Sequence, residues 1–203
     1  EGEIMSKKRI LILIISAVFA FPLVAEPYYD AGSQMFSISV GTNVPLTLST
    51  FVDDEFKTGI GPGSADGTTN QTMGGFGSID YEVFLHSYFS IGAEIGYQFN
   101  FTPSKKILTN VPIFLKLTTI PIQTGKFDLP ISLGLGFDYI SFNGSSKFTI
   151  NSSLLIGLKY FITDEWGIGI NTGLTLTPEL YAEKSKNALF TYIPINAVVT
   201  YRH

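Results

Sequence analysis

The chain of 203 residues contains no cysteine. Disulfides, thiolate metal sites, cysteine nucleophiles and the lipid-modified cysteine of a bacterial lipoprotein are therefore excluded. Charge is scarce as well: Asp, Glu, Lys and Arg make up 15% of the residues, against about one-quarter in ordinary soluble domains. The formal net charge is −4 and the only basic run lies near the N-terminus, so the phosphate-neutralising footprint of a nucleic-acid-binding protein is missing and no nucleic-acid partner is expected. Past residue 25 no run of 17 or more apolar residues occurs, which leaves no candidate for a membrane-spanning helix. What the chain does have is aromatic residues (14%) and 20 glycines. Its length suits a single domain.

The N-terminus reads as an address. After Met5 come Lys7-Lys8-Arg9, an apolar run from Ile10 to Phe21, and Pro22-Leu23-Val24-Ala25 before Glu26; these are the charged, apolar and cleavage regions of a secretory signal peptide. Cleavage is expected after Ala25, with Glu1 to Ile4 ahead of the true start. The domain plan is a signal peptide over 1–25 and one β domain over 26–203. The stretch from Ile10 to Ala25 holds 16 residues, short of the ~20 that a spanning helix needs. Without residues 1–25 the chain keeps 10 basic against 15 acidic groups, a net charge of −5.

From there on, apolar and polar residues alternate with period two, the signature of strands with two unlike faces. In Phe89 to Phe101 one face carries Phe89, Ile91, Ala93, Ile95, Tyr97, Phe99 and Phe101, and the other Ser90, Gly92, Glu94, Gly96, Gln98 and Asn100. Seven more segments follow this rule: Phe36 to Leu48, Gly75 to Leu85, Leu108 to Thr119, Phe127 to Phe142, Phe148 to Phe161, Trp166 to Thr177 and Thr191 to Arg202. Short turns are expected near His86-Ser87, Ile120 to Lys126 and Ile162 to Glu165. Longer loops are expected at Ser49 to Gly74, Thr102 to Ile107, Asn143 to Lys147 and Pro178 to Phe190. An even-stranded meander with short turns at one end and longer loops at the other predicts an all-β fold, an eight-stranded antiparallel up-and-down transmembrane β-barrel.

Alternation does not say which face looks outward, since a soluble barrel hides its apolar face inside. The charges decide. No Asp, Glu, Lys or Arg falls on the apolar faces, and the other faces hold mainly Gly, Ser, Thr and Asn with a few charges of mixed sign: Asp80, Glu82, Glu94 and Asp138 against Lys116, Lys159 and Arg202. Such a set can pair across a lumen, whereas a basic residue facing lipid at mid-membrane costs about 2–4 kcal/mol. The apolar faces are therefore turned to membrane lipid, and the seven charges form a candidate lumenal network. Pro45, Pro112, Pro130 and Pro194 fall on the inward faces, where each removes a ladder donor; bulges or kinks are expected there.

With segments such as Phe89-Ser90-Ile91-Gly92-Ala93-Glu94-Ile95-Gly96-Tyr97 in view, the chain over 26–203 resembles the small eight-stranded outer-membrane proteins of the OmpA-transmembrane, OmpX and OmpW type. The resemblance implies residence in the cell outer membrane after signal-directed export, and delivery there by the outer-membrane insertion machinery. Members of that group usually end in an aromatic residue; this sequence ends Tyr201-Arg202-His203, with the aromatic at the third-last position.

Catalytic patterns are weak. His86 falls in a turn and His203 is terminal, neither beside a serine in a water-excluded site. Glu82 and Glu94 on neighbouring segments could form a glycosidase-like carboxylate pair, but a lumenal salt-bridge network with Lys116, Lys159 and Arg202 is the simpler account. Asp53-Asp54-Glu55 and Asp66 match no calcium-loop spacing, and Gly59-Ile60-Gly61-Pro62-Gly63 lacks the helix that phosphate binding requires. No enzyme activity, cofactor or metal is expected. Two roles remain: a narrow conduit for small, hydrophobic solutes, and a plugged barrel whose loops meet host surface molecules.

Overall fold

The computed structural model describes residues 28–52, 55–102, 105–179 and 187–203. The expected signal peptide over 1–25 lies outside them. The described residues form strands β1 (Gln34–Val52), β2 (Glu55–Ile60), β3 (Gly74–His86), β4 (Phe89–Phe101), β5 (Ile107–Gln123), β6 (Phe127–Phe142), β7 (Ser145–Phe161), β8 (Trp166–Glu179) and β9 (Ala188–Arg202). Sequential neighbours from β3 to β9 pair antiparallel, and β1 pairs with both β3 and β9. Eight strands thus close a barrel, the architecture that the alternation predicts. The closing ladder runs from Met35↔Arg202 to Thr50↔Ala188.

The faces are inside out relative to a soluble protein. On β4, Ile91, Ile95, Tyr97 and Phe101 are exposed while Ser90, Glu94, Gln98 and Asn100 are buried. The same holds around the barrel, with Leu135, Phe137, Phe148, Ile150 and Ile170 among the most exposed side chains and Asn43, Asn110, Asp138, Asn151 and Asn196 among the most buried. An outer surface of this kind is matched to hydrocarbon rather than to water. Aromatic pairs stand near its two rims: Trp166 with Tyr201 and Phe127 with Tyr160 at one end, Tyr139 with Phe148 and Phe99 with Phe101 at the other. Amphipathic rings favour such interfacial positions.

At the end that holds residues 28–33, the turns are short: 87–88, 124–126 and 162–165. The opposite end is more elaborate, and two expectations are corrected there. The segment Ser49 to Gly74 contains a ninth strand, β2, which folds back on the upper part of β1 from Val52↔Glu55 to Thr47↔Ile60 and stands outside the closed ladder. Asn143 to Lys147 is not a long loop: β6 and β7 meet at a two-residue turn in which Asn143 (φ 52°) and Gly144 (φ 81°) are both left-handed. Asn-Gly tolerates that geometry, whose twist matches the flanking strands.

All four prolines face inward and are buried, and two of them stand at register shifts: Pro45, between Pro45 and Thr47 against β9, and Pro130, which the β5·β6 ladder skips between Thr119↔Ile131 and Ile122↔Leu129. At Pro112 the β4·β5 ladder lapses between Ile95↔Ile113 and Gln98↔Asn110, at Pro130 the β6·β7 ladder between Asp128↔Lys159 and Ile131↔Ile156, and at Pro194 the β8·β9 ladder between Thr172↔Ile195 and Thr175↔Tyr192. The register is the same on both sides of each lapse. A missing N–H costs rungs on one side; at Pro112 and Pro194 the opposite ladder is whole, at Pro130 it is not. A further bulge falls at Phe84/His86.

Leu135 sits at the middle of β6 with its side chain 58% exposed on the outer face. Leu135→Arg is expected to lower the unfolding free energy in lipid by about 2–4 kcal/mol, measured by reversible urea titration in vesicles, while Ser145→Arg at the loop end changes it little.

Candidate functional site

The lumen is filled in layers. At the turn end the segment ahead of β1 crosses the mouth. The side-chain carbonyl of Gln123 accepts from the backbone N–H groups of Tyr28 (2.8 Å) and Tyr29 (3.2 Å), and its amide donates to the Ser87 carbonyl (2.8 Å). So held, the Tyr29 ring stacks on Phe84 with centroids 4.0 Å apart, and its hydroxyl donates to the Asp128 carboxylate. Burial, with the Asp128 charge, holds the Tyr29 phenol well above its usual range. Arg202 completes the seal. Its Nη1 lies 3.7 Å from Asp128 Oδ2 and donates to the Tyr29 hydroxyl (3.2 Å), while Nε donates to the Asp164 carbonyl (2.7 Å). The guanidinium plane lies against Phe161 (3.4 Å to the ring centroid) and Tyr28 (3.7 Å). Arg suits this place because its flat, weakly hydrated cation stacks on rings and still donates in plane.

In the next layers, Lys116 of β5 reaches three carboxylates from β3 and β4. Its ammonium contacts Asp80, lies 3.2 Å from Glu82 and 3.4 Å from Glu94, and the Ser90 hydroxyl donates to Glu82. The register explains the meeting: Asp80 pairs with Glu94, Glu82 with Gly92, and Gly92 with Lys116. Glu82 and Glu94 are thus neighbours, as their spacing suggests, but both face an ammonium. Lys159 of β7 approaches from the far side; its Nζ lies 2.9 Å from the Met35 sulfur and 3.4 Å from Ser37 Oγ. Among the described residues no carboxylate forms an ion pair with it. The space left among these groups is about 30 Å³, room for a few water molecules at most. The Phe114 ring fits above because Gly134 stands opposite: a Cβ there would come within 3.2 Å of that ring and 2.4 Å of Ser153 Oγ.

The third layer is made of amides. Asn43 donates to Asn100 Oδ1 (3.2 Å), and Asn100 donates to the Thr72 carbonyl (3.0 Å), tying the β2–β3 connection down over the barrel. Asp138 of β6 accepts from Asn110 (3.1 Å) and Asn151 (3.2 Å) on the flanking strands. The seven charges read from the sequence therefore fall into separate groups. Asp80, Glu82, Glu94 and Lys116 meet, Lys159 stands beside them, Arg202 belongs to the turn-end seal, and Asp138 lies in the amide layer. Sequence reasoning missed Asp128, Tyr29 and Gln123; the inward parity of Asp128 on β6 was the available signal. His86 and His203 are exposed.

Above the amide layer the barrel opens into a vestibule of about 610 Å³, floored by Leu108, Ile140, Phe142, Leu48 and Phe190 and rimmed by Gln71, Asn143, Lys147 and Glu179. Gln71 enters it from the β2–β3 connection and accepts from the Tyr192 hydroxyl (3.2 Å). One seam of the vestibule wall lacks rungs among the described residues. There the β7·β8 ladder ends at Ser152↔Leu176, and Thr149 to Asn151 are not paired with Thr177 to Glu179. Above that point the two strands are joined through side chains: the Thr149 hydroxyl donates to the Pro178 carbonyl, and Lys147 pairs with Glu179.

A protein-family model matches residues 19–201. An uncharacterized protein of Treponema pallidum is 29% identical over 96 residues, which cover 47% of this chain and 43% of that relative, less than half of its length. Among solved structures, Neisserial surface protein A superposes with a TM-score of 0.55 at 11% identity, over 84% of this chain and 96% of the other. OprG from Pseudomonas aeruginosa gives 0.47 at 12% identity, over 86% and 97%. The likeness to the neisserial protein is one of fold.

Lys116→Met leaves Asp80, Glu82 and Glu94 without their common cation. Removing one partner of a buried ion pair costs about 3–5 kcal/mol, so the variant is expected to unfold at distinctly lower urea. Adding Asp80→Asn, Glu82→Gln and Glu94→Gln to it is expected to restore most of the loss; failure to recover would mean that packing of the lysine stem, not charge, holds the layer.

Proposed function

The chain belongs to the family whose model matches it over residues 19–201 and has the fold of the small eight-stranded outer-membrane barrels; from that premise we propose that it sits in an outer membrane and passes small apolar solutes from its loop-end mouth sideways into the bilayer. The observation that carries this reading is a vestibule of about 610 Å³ with an apolar floor, set above a filled lumen. An axial route is blocked in turn by the amide layer, by the Lys116 cluster with its space of about 30 Å³, and by the Tyr29–Arg202 seal. On this reading the stretch of β7 and β8 beyond Ser152↔Leu176 is the exit toward lipid, and the Lys147–Glu179 pair with the Thr149–Pro178 contact is its latch. The lumenal charges then have a structural role: they close the barrel against ions. Neither histidine is placed for catalysis, and a non-enzymatic role accords with the site.

A second reading has its own support. Strand β2 lifts Phe56 and Ile60, each 66% exposed, clear of the closed ladder, and a plugged barrel presenting such a hairpin suits contact with another surface.

The first reading is tested with the refolded chain in lipid nanodiscs, titrated with 1-octanol while the methyl signals of Leu108 and Ile140 are followed by NMR. Saturable shifts at both, abolished by Ile140→Trp, are expected, together with no ion conductance in planar bilayers. Shifts confined to lipid-facing Leu135, or steady conductance, would overturn it. Because the chain has no cysteine, a Lys147→Cys, Glu179→Cys pair can be oxidised cleanly; binding is expected to persist and exchange with the bilayer to slow.

A further inference from the structure

The amide layer contains a group of oxygens that the hydrogen bonds of the lumen do not use. Asn110 on β5, Asp138 on β6, Asn151 on β7 and Thr177 on β8 come from four consecutive strands and are 2%, 1%, 3% and 1% exposed. Both amides donate their Nδ2 to the same oxygen of Asp138, Oδ2, at 3.1 and 3.2 Å. Those bonds fix the amide orientations, because turning either group over would set its carbonyl oxygen against the carboxylate. Asp138 Oδ1, Asn110 Oδ1, Asn151 Oδ1 and Thr177 Oγ1 are then left buried without a hydrogen-bond partner.

Three of these four atoms can only accept. One water and the Thr177 hydroxyl, which stands beside the Asp138 carboxylate, can between them donate to the three acceptors, but they leave the carboxylate charge uncompensated, and burial makes that expensive. Among the described residues Asp138 has no ion pair, which sets it apart from Asp80 and Asp128, whose unpartnered second oxygens belong to carboxylates already beside Lys116 and Arg202. A cation compensates that charge and takes the other oxygens as ligands. The donors are all oxygen, a mixture of carboxylate, amide and hydroxyl with room in the ligand count for water, which is the preference of a hard divalent ion of the calcium class.

We propose that Asp138, Asn110, Asn151 and Thr177 bind a divalent cation of this class, and that the ion fastens β7 to β8 where their ladder stops. Asn151 and Thr177 are the next positions on the two strands beyond the last rung, Ser152↔Leu176, so the ion takes over cross-strand attachment from the missing backbone bonds. The set holds one carboxylate only, unlike metal sites gathered from three or more His, Asp or Glu, of which there are none among the described residues. The ion stands at the foot of the β7–β8 seam that the proposed exit uses, but its binding does not depend on solute passage.

The refolded full chain in detergent, stripped with EDTA and passed into chelator-free buffer, is titrated with CaCl₂ by calorimetry, with MgCl₂ in parallel, and its urea midpoint is followed against calcium concentration. One saturable calcium equivalent is expected, with a midpoint that rises with the logarithm of free calcium, as for any ligand that binds only the folded state. Asp138→Asn keeps the shape and is expected to lose both effects. In EDTA it is expected to be at least as stable as the parent, since it removes an unpaired buried charge, so the order of the two inverts on adding calcium. Asn151→Ala is expected to weaken binding without abolishing it. No saturable binding by the parent chain overturns the proposal. Equal binding by Asp138→Asn also overturns it, placing the ion on loop carboxylates such as Glu55 and Asp66.

Discussion

Every backbone N–H and C=O that meets hydrocarbon must find its partner within the protein, because lipid offers none and each unmet group costs several kcal/mol. In this chain the condition is met by the ladder between β1 and β9, Met35↔Arg202 to Thr50↔Ala188. Once the sheet is closed, alternation assigns every second residue to lipid and every other to a lumen too narrow for water to fill freely. Polar side chains banished from the outer face must then satisfy one another inside. The layering of the lumen follows: a stacked arginine at one end, a lysine shared by three carboxylates in the middle, and a sheet of asparagines above.

The same requirement explains which imperfections are tolerated. Pro112 and Pro194 each interrupt a ladder on one side and leave the other side paired in register, while Pro130 stands between a lapse on its β7 side and the β5·β6 register shift at Thr119/Ile122 on the other. The larger interruption, between β7 and β8, lies at the loop end, where both strands keep their other neighbours: β7 pairs with β6 up to Ser145↔Phe142, and β8 with β9 up to Glu179↔Ala188. The weakened seam thus stands beside the apolar vestibule and above the filled lumen.

Strand number, the facing of each strand and the siting of charge on the inner face were legible in the sequence because period two is a local property, written residue by residue. Height was not. Lys116 and Asp138 share the inward parity, yet Lys116 pairs with Gly134 and Asp138 with Pro112, four residues apart along β5 and so separated by roughly 13 Å of rise. That offset, set by the stagger of the closed barrel, separates Asp138 from the ammonium that a flat reading would give it. Strand β2 escaped notice because Glu55–Ile60 is too short and too exposed to show two faces. The Asn143-Gly144 turn did carry its signal, in a dipeptide that favours left-handed geometry, but the serines and lysine after it read as loop.

Tyr29 stands just ahead of the first barrel strand, Arg202 near the end of the last, and Asp128 on a strand far from either in sequence. The three meet only when β1 and β9 zip together. The stopper at that end therefore draws on both strands of the closing seam as well as on a strand across the lumen, so plugging and closure are one and the same feature of this fold.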